Sequence, residues 1–247
     1  MTSSSTLLEV DQLICGYRVG QPVLSDVTLT LERGGIVALV GPSGGGKTTL
    51  LKTLLGLLPP LGGRASVLEG TGRPPCQKKV GYIPQRLGLV EHASVLRNVV
   101  VGTLPETGWL RSLLGAFPAE HVQRAHEALE QVGLDNMTGQ SPLHLSGGER
   151  RRVAIARTLA QRPALLLADE LLSELDEATA TIVLNAIRQL QQDTDMGVLM
   201  VEHNLERSCD LADLVCCLGQ GTLRATFAPA PDRLQRARRL LATHALP

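Results

Sequence analysis

The feature that most constrains this 247-residue chain is a glycine-rich stretch from Gly41 to Thr49. It follows the apolar residues 36–40, which predict a buried parallel strand, and it leads into residues 50–55, which predict a helix. The pattern G-x-x-x-x-G-K-[ST] is filled by Gly41, Gly46, Lys47 and Thr48. The pattern and its strand–loop–helix setting together predict a phosphate-binding loop.

The residue types of this loop suit a triphosphate. Glycines let the backbone curl round the β-phosphate, so that loop N–H groups and the helix N-terminus point at the anion. Lys47 adds a cation, and Thr48 offers a hydroxyl to Mg²⁺. The expected nucleotide contacts are Gly41, Pro42, Ser43, Gly44, Gly45, Gly46, Lys47, Thr48 and Thr49. We therefore expect a nucleoside triphosphate and Mg²⁺ as ligands.

Charge and cysteine content exclude several other classes of protein. The 24 basic and 24 acidic residues balance, which gives no support for a nucleic-acid-binding surface. The five cysteines are odd in number and lack C-x-x-C spacing, so neither a disulfide framework nor a zinc site is expected. The N-terminus does not resemble a signal peptide, and no apolar run approaches the ~20 residues of a membrane helix. A cytosolic location is expected, and attachment to a membrane protein remains compatible with it.

Strand patterns flank the loop on both sides. Alternating apolar and polar residues at 8–13 and 23–31 predict two antiparallel strands before it, with Tyr17 in the turn region between them. Tyr17 is either a core or edge tyrosine or a platform on which adenine stacks, and its position leaves both readings open. Residues 65–68 and 79–83 predict further strands, and Gln85 follows the second of these.

Residues from 87 to about 162 change to helical spacing and predict a helical insert. Near its end, Ser146 and Glu149 have the spacing of an N-cap and capping box. Capping does not explain Gly147 and Gly148, because each glycine weakens the first turn of a helix by roughly 1 kcal/mol. The two glycines make sense if an anion must approach this helix N-terminus closely.

Two adjacent carboxylates, Asp169 and Glu170, follow the buried strand predicted at 164–168. The carboxyl end of a central parallel strand is well placed for chemistry. Asp169 is expected to hold Mg²⁺ as the partner of Thr48, and Glu170 to polarise an attacking water as general base. His203 follows a further strand at 197–201; it is either structural or faces the γ-phosphate.

With these motifs in this order, the chain resembles the ATP-binding cassette (ABC) ATPases of membrane transporters over nearly its whole length. The resemblance implies an α/β P-loop NTPase fold with a mostly parallel core sheet, an N-terminal antiparallel β subdomain and a helical subdomain insert. It divides a single domain into a nucleotide-binding core (1–87 and 163–227), a helical subdomain (88–162) and a C-terminal tail (228–247).

The resemblance also implies roles for individual residues. It implies catalytic roles for Lys47, Gln85, Glu170 and His203. It implies further nucleotide contacts for Tyr17, Ser146, Gly147, Gly148 and Asp176. It implies Mg²⁺ ligation by Thr48, Gln85 and Asp169. Such ATPases form head-to-tail homodimers in which each ATP lies between one copy's loop and the other copy's signature residues, Ser146, Gly147 and Gly148.

Within the family, the chain looks like the separate ATPase subunits of bacterial importers. Expected partners are transmembrane permease subunits and a solute-binding protein, at the cytoplasmic face of the inner membrane. Residues 94–102 and 109–118 look most like phosphonate-import ATPases, whereas 54–60 and 72–75 look more like zinc and manganese importers.

A cassette ATPase without a transporter is the rival class. Its DNA-repair members carry long coiled coils and its translation members usually fuse two cassettes, and the chain shows neither feature.

Two departures from the family pattern stand out. Leu171 replaces the usual proline, which is expected to loosen the turn that carries Asp176, and Glu149 stands where many importers have glutamine.

Overall fold

The structure, a computed structural model, describes residues 5–68, 70–71, 79–106, 117–173 and 175–230. These residues form two compact units. The first contains the described parts of Met1–Cys76, Ala164–Leu171 and Met196–Pro247, and the second those of Gln77–Pro163 and Leu172–Asp195. The stretch at 72–75, most of the stretch at 109–118 and the tail beyond residue 230 lie outside the described residues.

Elements are numbered in chain order over both units. The strands of the first unit are β1 (Thr6–Cys15), β2 (Leu24–Glu32), β3 (Ile36–Val40), β4 (Gly62–Val67), β5 (Gly70–Thr71), β7 (Leu165–Asp169), β8 (Gly197–Glu202), β9 (Leu214–Gly219) and β10 (Thr222–Phe227). Its helices are α1 (Lys47–Leu54) and α6 (Leu205–Leu211).

An antiparallel sheet in the order β2-β1-β4-β5 forms the N-terminal part of the first unit. In β2, buried Val27, Leu29 and Leu31 alternate with exposed residues, as the period of a half-buried strand requires. The two predicted antiparallel strands are confirmed, and β1 extends further at both ends than its alternating core indicates.

A mostly parallel sheet carries the phosphate-binding loop. Strands β9, β3, β8 and β7 run parallel in that order, and β10 pairs with β9 antiparallel. Almost every residue of β3, β7 and β8 is buried, which explains their uninterrupted apolar sequences. Val40 is level with Glu202, and Asp169 with Val201, so the three strands end at the same edge of the sheet. The residues that follow them are therefore brought together there.

The second unit is mainly helical. Its elements are β6 (Val80–Ile83), α2 (Val95–Val100), α3 (Ala119–Gln131), α4 (Gly147–Gln161), α5 (Glu177–Thr194) and 3₁₀ turns at Val101–Glu106, Asp135–Met137 and Pro142–His144. Helices α2, α3 and α4 pack against one another, and Val99, Leu129 and Val153 are fully buried. The predicted helical insert is thus confirmed. In the part of the chain that the structure describes, no helix combines the length and apolar character needed to cross a membrane.

Candidate active site

The phosphate-binding loop connects β3 to α1 and ends at Gly46. Gly46 has a φ of 90°, in the left-handed region that favours glycine. A Cβ atom at this position would lie 2.7 Å from Cγ of Leu24, so a side chain would clash as well as strain the backbone. Lys47, Thr48 and Thr49 form the first turn of α1, whose N–H groups have no partner within the helix. The loop therefore presents backbone donors to an anion, as the motif predicts.

Lys47 is folded back over the loop. Its Nζ donates hydrogen bonds to the carbonyl oxygens of Gly41 and Pro42, both at 2.8 Å. Burial lowers the pKa of Lys47, while the carboxylates of Asp169 and Glu170 oppose that shift by favouring the charged form. The ammonium is thus held at the loop by neutral carbonyl groups, from which it can transfer to a phosphate oxygen.

Thr48 and Asp169 are in direct contact. The Thr48 hydroxyl donates a hydrogen bond of 2.7 Å to Oδ2 of Asp169, a residue that is only 2% exposed. Burial raises the pKa of Asp169, and the hydrogen bond from Thr48 acts in the opposite direction. A hydroxyl beside a buried carboxylate offers the hard oxygen ligands that Mg²⁺ prefers, and a divalent cation would compensate the buried charge. The pair predicted from the sequence is therefore brought together with chemistry that fits the metal.

Glu170 and His203 form the second contact at this edge. Nε2 of His203 lies 2.6 Å from Oε1 of Glu170, and the two side chains are 41% and 19% exposed. Glu170 has a φ of 58°, and its N–H donates to the carbonyl of Val201 at 3.0 Å. This backbone hydrogen bond to β8 holds Glu170 in an otherwise unfavourable conformation. It therefore fixes the backbone position from which the Glu170 side chain extends. Leu171, in place of the family's proline, is buried.

Tyr17 lies in the turn after β1 and is 59% exposed, which excludes the reading of a core tyrosine. Its hydroxyl is 3.5 Å from Nζ of Lys52 on α1. Hydrogen bonding with the Thr49 side chain lowers the pKa of Tyr17, and Lys52 lowers it further. Sequence reasoning missed Lys52, because nothing in the spacing of residues 17 and 52 indicates that they meet. The one available signal was that Lys52 lies one turn after Thr49 on the predicted helix.

The remaining predicted site residues belong to the second unit. Gln85 is exposed, two residues after β6. Ser146 caps α4 in the expected capping box: its hydroxyl accepts from the Glu149 N–H at 3.3 Å, and Glu149 Oε2 accepts from the Ser146 N–H at 2.7 Å. Gly147 and Gly148 open that helix, and Asp176 caps α5 by accepting from the Thr179 N–H. Participation of these residues in a nucleotide site stays a prediction.

Sequence comparison places the chain among known proteins. Residues 24–173 match the ABC transporter family. The chain is 34% identical over 240 residues to the phosphonates import ATP-binding protein PhnC 2 of Haloarcula marismortui, covering 94% of this chain and 88% of the relative. It is 36% identical over 228 residues to PhnC of Escherichia coli strain K12, covering 87% of each chain.

Solved structures agree with these relatives. An ATP-binding subunit of an ABC transporter superposes with a TM-score of 0.79 at 27% identity, over 98% of this chain and 95% of its own. A dimeric ATP-binding cassette with bound ADP and phosphate superposes with a TM-score of 0.77 at 25% identity, over 90% of this chain and 99% of its own. The α/β P-loop NTPase fold is thereby confirmed. The chain belongs to the ATP-binding cassette family of transporter ATPases, whose shared activity is the hydrolysis of ATP.

Proposed function

We propose that this chain is the ATP-hydrolysing subunit of an importer for phosphonates or related oxyanions. The observation that carries the proposal is the meeting of two side-chain pairs, Thr48 with Asp169 and Glu170 with His203, at the sheet edge from which the phosphate-binding loop emerges. A hydroxyl and carboxylate suited to Mg²⁺ lie there beside a carboxylate suited to proton transfer. Both are needed for hydrolysis of a nucleoside triphosphate.

The loop and α1 bind the phosphates in this mechanism. Backbone N–H groups of the loop and the first turn of α1 point at the anion, while Lys47 moves from the carbonyls of Gly41 and Pro42 to a phosphate oxygen. Thr48 and Asp169 would hold Mg²⁺. When bound, Mg²⁺ neutralises charge that develops on the phosphate oxygens.

Glu170 accepts the proton of the attacking water in this mechanism. His203 contacts the same carboxylate at 2.6 Å and would fix its orientation, while its own side chain is 41% exposed. Leu171 is buried, so side-chain packing restrains the backbone after Glu170 where the family commonly has a proline ring.

Each site is completed by a second copy of the chain. Ser146, Gly147 and Gly148 would contribute the N-terminus of α4, a helix of 15 residues, to the ATP bound by the partner's loop, and Asp176 would lie near the same interface. The dimeric structural relative described above supports this assembly. Homodimerisation also supplies a reason for the two glycines that helix capping leaves unexplained.

Permease subunits are the membrane partners in this proposal. A groove of about 370 Å³ in the second unit is lined by Gln85, Arg86, Leu143 and Arg150, and Leu143 is itself exposed. A cytoplasmic segment of the permease would bind here and respond to changes at Gln85. The chain would then lie peripherally at the cytoplasmic face of the inner membrane, in a system that includes a solute-binding protein.

The phosphonate assignment is supported by the relatives' names and by their coverage of most of the chain. They favour phosphonate over the zinc or manganese alternative and over an ATPase without a transporter. The solute itself does not contact the proposed ATP site, so its identity is best measured as transport in the assembled system.

Substitution of the proposed general base tests the reaction. Glu170→Gln keeps the size and hydrogen-bonding capacity of the side chain but cannot accept the proton. We expect MgATP binding to be retained and steady-state phosphate release to fall by about a hundredfold or more.

Glu9→Gln provides a matched control, because Glu9 is exposed on β1 and the substitution makes the same change in charge. Normal turnover by Glu170→Gln, with the control also unaffected, would rule out Glu170 as the base. Failure of the wild-type chain to bind MgATP would overturn the proposed function as a whole.

A further inference from the structure

Lys52 contacts Tyr17 at the hydroxyl end of the side chain. Its Nζ lies 3.5 Å from the phenolic oxygen but 5.7 Å from the ring centroid. An ammonium stacked on the ring would be nearer to the centroid than to the hydroxyl. The contact is therefore mainly a hydrogen bond from a cation to the hydroxyl, and Lys52 does not cover the centre of the ring.

The hydroxyl of Tyr17 is contacted by residues of α1, the helix whose first turn is proposed to bind the phosphates. Thr49 and Lys52 lie three residues apart on α1, so their side chains project from one face of the helix. Thr49 is buried, whereas Lys52 is half-buried and can extend to the turn that carries Tyr17. Thr49 and Lys52 both interact with the phenolic oxygen and lower the pKa of Tyr17.

The turn itself gives the ring little other support. Tyr17 is 59% exposed, and Val19 in the same turn is 92% exposed, so packing does not fix the ring. Adenine stacking on a ring of variable position would lose part of its binding free energy to ordering that ring. The hydrogen bond from Lys52, beside the interaction with Thr49, reduces that cost before the nucleotide binds.

We propose that Lys52 is a positioning residue that holds the Tyr17 ring at a fixed place relative to α1, so that the adenine base and the phosphates of one ATP are bound together. This inference rests on the proposed function, in which Tyr17 stacks on adenine. It assigns Lys52 to base binding, although its position on the phosphate-binding helix and its positive charge would otherwise suggest phosphate binding.

Steady-state kinetics of Lys52→Met separate these roles. The variant keeps the aliphatic stem and removes the ammonium. We expect the KM for ATP to rise about three- to fivefold, as for a single exposed charged contact, with kcat within about twofold of wild type. Competitive inhibition by inorganic tripolyphosphate, which has no base, should not change. Lys52→Arg, which keeps a charged donor, should restore most of the ATP affinity.

A double-mutant cycle with Tyr17→Phe tests whether Lys52 acts through the hydroxyl. Tyr17→Phe keeps the stacking ring and removes the hydrogen-bonding partner. In that background, Lys52→Met should cause no further rise in KM. Arg33→Met serves as a control for loss of a positive charge from an exposed site in the same unit, and it should leave KM unchanged.

Two outcomes would overturn the inference. The first is that Lys52→Met raises the KM for ATP as much in the Tyr17→Phe background as in the wild-type background. The second is that Lys52→Met weakens inhibition by tripolyphosphate as much as it weakens ATP binding. A wild-type chain that fails to bind ATP would overturn the proposed function, and this inference with it.

Discussion

Two residues of the site, Asp169 and Lys47, carry buried charges that are not paired directly with an opposite charge among the described residues. Asp169 and Lys47 are both almost completely buried, and burial disfavours the charged form of each. Their contacts are to a hydroxyl and to backbone carbonyls, and the structure shows no direct ion pair between the two. Such a site binds a highly charged ligand at some expense to the stability of the ligand-free chain.

Asp169→Asn should therefore stabilise the nucleotide-free chain near neutral pH. The pKa of Asp169 is raised in the folded state, so the stability linked to its protonation is fully present below the unfolded value of 3.8 and is lost as the pH rises through the folded pKa. Asparagine keeps an acceptor for Thr48 without the charge. The gain in urea midpoint over wild type should be clear at pH 7 and should shrink toward pH 4.

Asp11→Asn is the control for this measurement, since Asp11 is a half-exposed surface carboxylate. Its effect should stay below about 0.5 kcal/mol. A lower urea midpoint for Asp169→Asn than for wild type at pH 7 would show that the buried charge stabilises the ligand-free fold, contrary to this account.

Secondary-structure elements show which features a sequence can predict. The pairing of Thr48 with Asp169 could be anticipated, because parallel strands end at a common edge and both residues lie at strand or helix ends. The capping of α4 by Ser146 and Glu149 followed from spacing within four residues. β5, with two residues, is too short to show a period, and the contact between Tyr17 and Lys52 depends on how a turn folds against a helix. Local patterns were therefore predictable, and contacts across long separations outside the parallel sheet were not.

The capping box of α4 should give the chain a pH-dependent stability. The Ser146 N–H lowers the pKa of Glu149, so this contribution is present above the unfolded value of 4.5 and is lost as the pH falls through the folded pKa. Glu149→Gln preserves the capping box without a titrating group. Between pH 5 and pH 3, its urea midpoint should fall less than that of wild type; an equal fall would contradict the assignment.

Asn98 on α2 organises the loop that follows Gln85. Its buried side chain accepts from the Val90 N–H at 2.7 Å and donates to the carbonyls of Val90 and Ser94, both at 3.0 Å. Asn98→Ala should lower the free energy of unfolding by about 1–2 kcal/mol, because it removes the partner of the Val90 N–H, whereas the carbonyls of Val90 and Ser94 keep backbone donors. The exposed Asn136 provides the control, for which Asn136→Ala should cost less than about 0.5 kcal/mol in the same urea titration.

At the scale of the whole molecule, the predicted site residues divide between the two compact units. Lys47, Thr48, Asp169, Glu170 and His203 belong to the first unit, and the signature residues belong to the second. In the proposed function, a second copy of the chain completes each ATP site. The central claim is that Lys47 of one copy and Ser146 of another serve the same ATP.

Mixing two inactive variants tests this claim most directly. Lys47→Ala removes the cation of one half-site, and Ser146→Arg blocks the other, so each variant alone should hydrolyse little ATP. A mixed dimer has one doubly altered site and one intact site. Equal mixing should therefore restore ATP hydrolysis to at most about a quarter of the wild-type rate, since half of the dimers are mixed. Absence of recovery in dimers shown to contain both variants, or full activity of either variant alone, would contradict the shared site.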